Sequence, residues 1–140
     1  VQQGEQRPEQ AVRPGDAVPA PTRWARTYRL RDVTVVELSG EIDLASEAEV
    51  TPHLLAAALW PRPPRVVLDL GPVEFIDCFG LSLLVRTRRR VAERGGRLAM
   101  VCDRPQTRRL LRLTGLEPLF SPVPTLDDAV AGAAGDTGTP

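Results

Sequence analysis

Apolar residues along the chain alternate between short strand-like runs and stretches of helical spacing. WARTYRL (24–30) and VTVVELSG (33–40) are β-branched or alternating, which predicts two strands joined by a hairpin turn at Arg31-Asp32. In EIDLASEAEVTPHLLAAALW (41–60), Val50, Leu54, Leu55, Ala58 and Leu59 recur at helical spacing. Two starts fit that helix. Ser46 and Glu49 have the spacing of a capping box, whereas Thr51 as N-cap would put Pro52 at the first helical position, where its missing N–H costs nothing.

RVVLDLG (65–71) is a continuous apolar run of the kind a buried strand shows. From Asp77 to Gly95 the spacing predicts a second helix, with Phe79, Leu83, Leu84, Val91 and Ala92 facing inward and Gly95-Gly96 as its stop. RLAMVC (97–102) reads as another strand. RPQTRRLLRLTGL (104–116) reads as a helix opening at Pro105 and ending at Gly115. A brief extended piece is expected near Phe120 to Val123, then a last helix in LDDAVAGAA capped by Thr125. The order β-β-α-β-α-β-α-(β)-α implies a single α/β domain with a mixed sheet and helices packed against it. Residues 1–22, with four prolines, repeated Gln and Glu and no apolar periodicity, are expected to be a disordered leader, and 135–140 a disordered tail, around a domain at 23–134.

Charge and composition narrow the function. The 18 basic residues balance 18 acidic ones, so bulk charge favours neither nucleic acid nor an anionic membrane. Apolar residues make up 42% of the chain, sufficient for a packed core, and no run approaches the roughly 18 residues of a membrane span. No signal peptide is visible, and two cysteines 24 positions apart are too few for a disulfide framework, which points to a reducing cytoplasm. Ten arginines lie between residues 86 and 112 with only Glu93 and Asp103 against them. No aromatic residue interleaves them for base stacking, so they read as a solvated face or as a rim for an acidic partner. His53 is the sole histidine and has no Cys nearby, which argues against a metal site. No nucleophile–base pair, phosphate-cradling loop or paired carboxylates stand out, so neither catalysis nor a cofactor is expected.

Four segments, VVELSGEIDLAS, VVLDLGPVEFIDCFGLSLL, GGRLAMVC and RRLLRLTGLEPLF, resemble in order and spacing the STAS domain of bacterial anti-sigma factor antagonists, over about 35–131. Gly-Glu-Ile-Asp at 40–43 and Asp-x-x-Gly-Leu at 77–81 carry most of the resemblance. It implies a mixed sheet with helices on one face and a protein partner, an anti-sigma factor of the serine-kinase type, that binds around the turn opening the second helix. In that family the turn is Asp-Ser-Ser/Thr-Gly-Leu-Gly, and the first hydroxyl residue is the phosphoacceptor. A phosphate there adds about −1.5 to −2 charge to the contact surface, and the unmodified antagonist is the form that binds.

On this resemblance Cys78 occupies the phosphoacceptor position, Phe79 the second hydroxyl position, and Ser82 the place of the final glycine. Asp77 and Gly80 match the family turn, and Asp43 matches a loop position near the binding surface. Asp43, Asp77, Cys78, Phe79, Gly80 and Ser82 are therefore the expected partner-binding residues, with no phosphorylation expected at Cys78. Beside that reading stand local ones. Cys78 could be a small residue tolerated at a helix start, or a redox-responsive thiol. Phe79 could belong to the core or anchor an interface. Asp43 could simply cap a turn, Ser82 could bond back to its own helix, and Cys102 is expected in the core. A STAS subunit of a lipid transporter or stress-signalling scaffold is the alternative within the same fold.

Overall fold

The computed structural model describes residues 18–134, so most of the expected leader and all of the expected tail lie outside the described residues. Strands β1 (Ala25–Leu30) and β2 (Val33–Leu38) form the expected hairpin, and Arg31 takes the positive φ (58°) that its tight turn needs. β3 (Gly40–Ile42), a 3-10 turn (Leu44–Ser46) and α1 (Glu47–Leu59) follow. Next come β4 (Arg65–Asp69), β5 (Val73–Ile76), α2 (Cys78–Glu93) and β6 (Arg97–Val101). The chain closes with α3 (Pro105–Leu113), α4 (Glu117–Phe120) and α5 (Leu126–Ala133).

The main sheet has the order β1-β2-β4-β6; β1 pairs antiparallel to β2, and β2, β4 and β6 run parallel. This is the mixed α/β architecture that the element order implies. The helices, however, divide between both faces instead of sharing one. Val36, Leu38, Val66, Leu68 and Met100 point into a core with α1 and α2, whereas Val33, Val35, Val67 and Val101 pack against Ala129, Val130 and Ala133 of α5. The physical reason is visible in the strands themselves: Val35-Val36 and Val66-Val67-Leu68 are apolar at successive positions, so both faces need cover.

Other differences are local. Between β2 and α1 the chain first makes β3, which pairs parallel to β5 in a separate two-stranded sheet. The expected Ser46–Glu49 capping box is replaced by a box one turn earlier. The Ala45 amide donates to Asp43 Oδ1 (3.0 Å) and the Asp43 amide to Ser46 Oγ (3.0 Å). Nor does the helix wait for Thr51, since α1 starts at Glu47 and carries Pro52 inside it. Its buried stripe is Val50, His53, Leu54, Ala57 and Ala58, and Leu59 is exposed. On α2, Ala92 faces solvent and Thr87 takes an inward place, its hydroxyl donating to the Leu83 carbonyl (2.8 Å). Phe120 lies in α4, so the expected extended piece reduces to Val123, bridged to Val101. Gly95 and Gly115 adopt positive φ (71° and 76°) just past α2 and α3, as helix stops do.

His53 is fully buried and ties three parts of the chain together. Its Nε2 lies 3.0 Å from the Ala20 carbonyl, which can only accept, so Nε2 holds the proton and donates. Nδ1 then accepts from the Thr27 hydroxyl of β1 (2.6 Å). Burial pushes the imidazole pKa below its ordinary value.

Candidate functional site

Two short parallel strands set the site. β3 and β5 pair with Ile42 opposite Ile76, so the next residue on each, Asp43 and Asp77, emerges at the same end of the pair. Both carboxylates turn back onto backbone. Asp43 caps the 3-10 turn, and Asp77 Oδ1 accepts from the Gly80 amide (2.9 Å) as N-cap of α2. The Asp77 amide donates to the Ile42 carbonyl (3.4 Å), which holds the two strand ends together.

Gly80 explains why the first turn of α2 can sit directly on this pair. A Cβ there would lie 2.5 Å from the Ile42 carbonyl oxygen and 2.7 Å from Ile76 Cγ1, closer than a real methyl group stands. The glycine is required for close approach, and its φ is ordinary.

Cys78 is the first residue of α2 and is exposed. Phe79 is half-buried and packs against the main core. Ser82 is exposed but donates its hydroxyl to the Phe79 carbonyl (2.6 Å), a bond back onto its own helix. The structure therefore brings all six expected residues to one end of the β3–β5 pair and the opening turns of α2. Cys102 is buried in the core, and desolvation raises its thiol pKa.

Sequence reasoning missed two neighbours, Phe75 and Leu44, which are 52% and 66% exposed. Strict alternation from the buried Val73 would turn Phe75 inward. Instead Gly40 pairs with Val73 and Glu41 with Phe75, so Glu74 is an extra residue on β5. This bulge flips the strand's phase, sending Phe75 outward and Ile76 inward. Nothing in VEFI alone signals it.

Two hollows flank Cys78. One, of about 550 Å³, lies between α2 and the end of α3, with Leu81, Val85 and Leu116 among its lining. The other, of about 370 Å³, lies between Phe75 and the Gln106–Leu110 side of α3. Among the described residues no group of three or more His, Cys, Asp or Glu side chains could hold a metal ion, and no helix is long and apolar enough to cross a membrane.

Comparison with known proteins gives a consistent result. The STAS-domain family model matches residues 25–129. An anti-sigma-F factor antagonist of Mycobacterium tuberculosis, RsfB, is 32% identical over 103 residues, covering 74% of this chain and 83% of the relative. An anti-sigma F factor antagonist of Paenibacillus polymyxa is 33% identical over 101 residues, covering 71% and 83%. Among solved structures, an anti-sigma factor antagonist from Mycobacterium paratuberculosis superposes with a TM-score of 0.72 at 30% identity, covering 89% of this chain and all of that one.

Proposed function

The chain belongs to the STAS-domain family, and from that membership we propose that it acts as an anti-sigma factor antagonist, a protein that works by binding another protein. The similar proteins carry that name. The partner proposed is an anti-sigma factor of the serine-kinase type, and the contact surface is the end of the β3–β5 pair with the first turns of α2. One observation carries the reading. Asp43 and Asp77 are spent on capping, so the strand ends and the start of α2 are rigid, while Cys78, Phe75 and Leu44 are left facing solvent beside them. Ordered backbone bearing exposed apolar anchors is what a protein interface uses.

At the phosphoacceptor position the thiol changes regulation. A serine kinase transfers its phosphoryl group to a hydroxyl, and Cys78 offers none. No negative charge is then placed on the contact surface, and the chain holds its partner whether or not ATP is present. The Ser82 hydroxyl donates to the Phe79 carbonyl, a bond that would have to break before Ser82 served as a substitute acceptor.

The test is to identify the anti-sigma factor bound by the full chain in its native cell, purify it, and incubate it with ATP and either wild type or Cys78→Ser. Wild type should bind and keep its intact mass. Cys78→Ser should gain the mass of one phosphoryl group and then release the kinase, since the added charge is about −1.5 to −2. A phosphoryl gain by wild type at Cys78 or Ser82 would overturn the regulatory part. Failure of wild type to bind any anti-sigma factor would overturn the assignment itself.

A further inference from the structure

The opening turn of α2 is one end of a longer stripe. Cys78, Leu81, Ser82, Val85, Arg86 and Arg89 recur at three- and four-residue steps and line one groove. They span about 16 Å of helix at 1.5 Å per residue. Leu116, beyond the end of α3, forms the opposite wall. Leu81 is buried at the floor, and Val85 and Leu116 are half-buried on the main core.

Arg86 and Arg89 are both exposed. Neighbouring arginines are committed to the fold. Arg108 and Arg112 share Glu117 (3.6 and 4.0 Å), and Arg88 donates to the Leu119 carbonyl (3.0 Å). By contrast, Arg86 Nε reaches only the Ser82 carbonyl of its own helix (3.5 Å), and among the described residues no carboxylate stands within ion-pair distance of Arg86 or Arg89. At the other end of the stripe Glu41 and Glu74 are exposed, beside the two capping aspartates. The surface is thus acidic at the strand ends and basic along the groove, with an apolar floor between the guanidinium groups and the core.

We infer that this groove receives a helical segment of the partner protein whose contact face carries apolar residues flanked by Asp or Glu, and that Arg86 and Arg89 select it. The inference rests on the antagonist reading for the partner's identity, but the groove's chemistry can be tested apart from it. An apolar face fits Leu81, Val85 and Leu116, while guanidinium–carboxylate contacts supply charge-assisted hydrogen bonds and fix register. The reversal of charge along the stripe sets the direction in which the segment lies.

The first probe is a synthetic helical peptide about three turns long, with Leu at helical spacing and Glu beside each Leu. Titrated into the full chain, it should move the amide NMR signals of Leu81, Val85, Arg86, Arg89 and Leu116, and bind more weakly as NaCl is raised from about 50 to 300 mM. Arg86→Glu/Arg89→Glu should lower its affinity about tenfold or more, with an unchanged melting midpoint. The remote double reversal Arg62→Glu/Arg97→Glu, also at exposed positions, should not. Equal peptide affinity for wild type and the groove variant, or signal changes confined to other surfaces, would overturn the inference. The second probe is the purified anti-sigma factor. If it binds wild type and the groove variant equally, the inference falls while the functional reading stands. If the peptide behaves as expected but no anti-sigma factor binds, the groove chemistry holds and the functional reading falls.

Discussion

Gly80 sits where α2 passes over the Ile42 carbonyl, and a methyl group has no room there. Helix propensity alone favours alanine by about 1 kcal/mol, but the overlap is with backbone, which cannot swing aside. Gly80→Ala is therefore expected to destabilise the domain by about 1–3 kcal/mol, measured as a lower denaturant midpoint with an unchanged slope. The two aromatic side chains of the site separate by burial. Phe79→Ala removes a ring packed on the main core and should cost about 1–3 kcal/mol, less than the 3–5 of a fully buried phenylalanine. Phe75→Ala should leave stability within about 0.5 kcal/mol but weaken partner binding by about 1–2 kcal/mol or more. If the Phe75 variant melts early, or keeps full affinity, its role as an exposed anchor is wrong.

At the scale of elements, the site is built by termini. The 3-10 turn and α2 each begin with an aspartate that satisfies an otherwise free amide, and the β3–β5 register places those two starts side by side. Asp77→Ala removes the cap of α2 and should lower stability by about 0.5–2 kcal/mol, whereas Asp77→Asn, which still offers an oxygen to the Gly80 amide, should lose much less. α1 holds the opposite case. Pro52 lies at its sixth residue, exposed, where an ordinary residue would donate its amide to the Ala48 carbonyl. Pro52→Ala is expected to raise stability by about 1 kcal/mol or more; a lower melting midpoint would mean that the proline ring makes a favourable contact of its own.

For the whole molecule, His53 joins α1, β1 and the segment at Ala20 through one neutral imidazole. Its pKa in the folded protein is depressed by burial, so the unfolded chain, with a value of about 6.5, takes up the proton first as pH falls. The contribution is fully present above that value and is lost as pH drops through about 6.5 toward the folded pKa. A melting midpoint that declines between about pH 7 and pH 5 in wild type, and declines less in His53→Gln, is the expected result. Identical pH profiles would show that this imidazole does not set the acid limb.

Read as a sequence, the chain determines a great deal. Strand and helix periodicity, glycine stops after α2 and α3, Pro105 at the start of α3, and the Thr125 cap of α5 are all local effects, and all appear in the structure. So does the clustering of Asp43 with the Asp77–Ser82 turn, because a family pattern records contacts that spacing alone does not. Tertiary structure decided what depends on partners distant in sequence. Ser46 bonds to Asp43 and not to Glu49 because β3 first pairs with β5 and fixes where the chain turns. Phe75 faces out because one extra residue, Glu74, shifts the phase of a strand too short to display a phase. α5 lies on the far face because apolar runs in β2 and β4 leave two faces to cover, and a run apolar on both sides does not say which helix covers which. Local geometry is written in neighbouring residues; register, facing and the groove beside α2 exist only when separate segments meet.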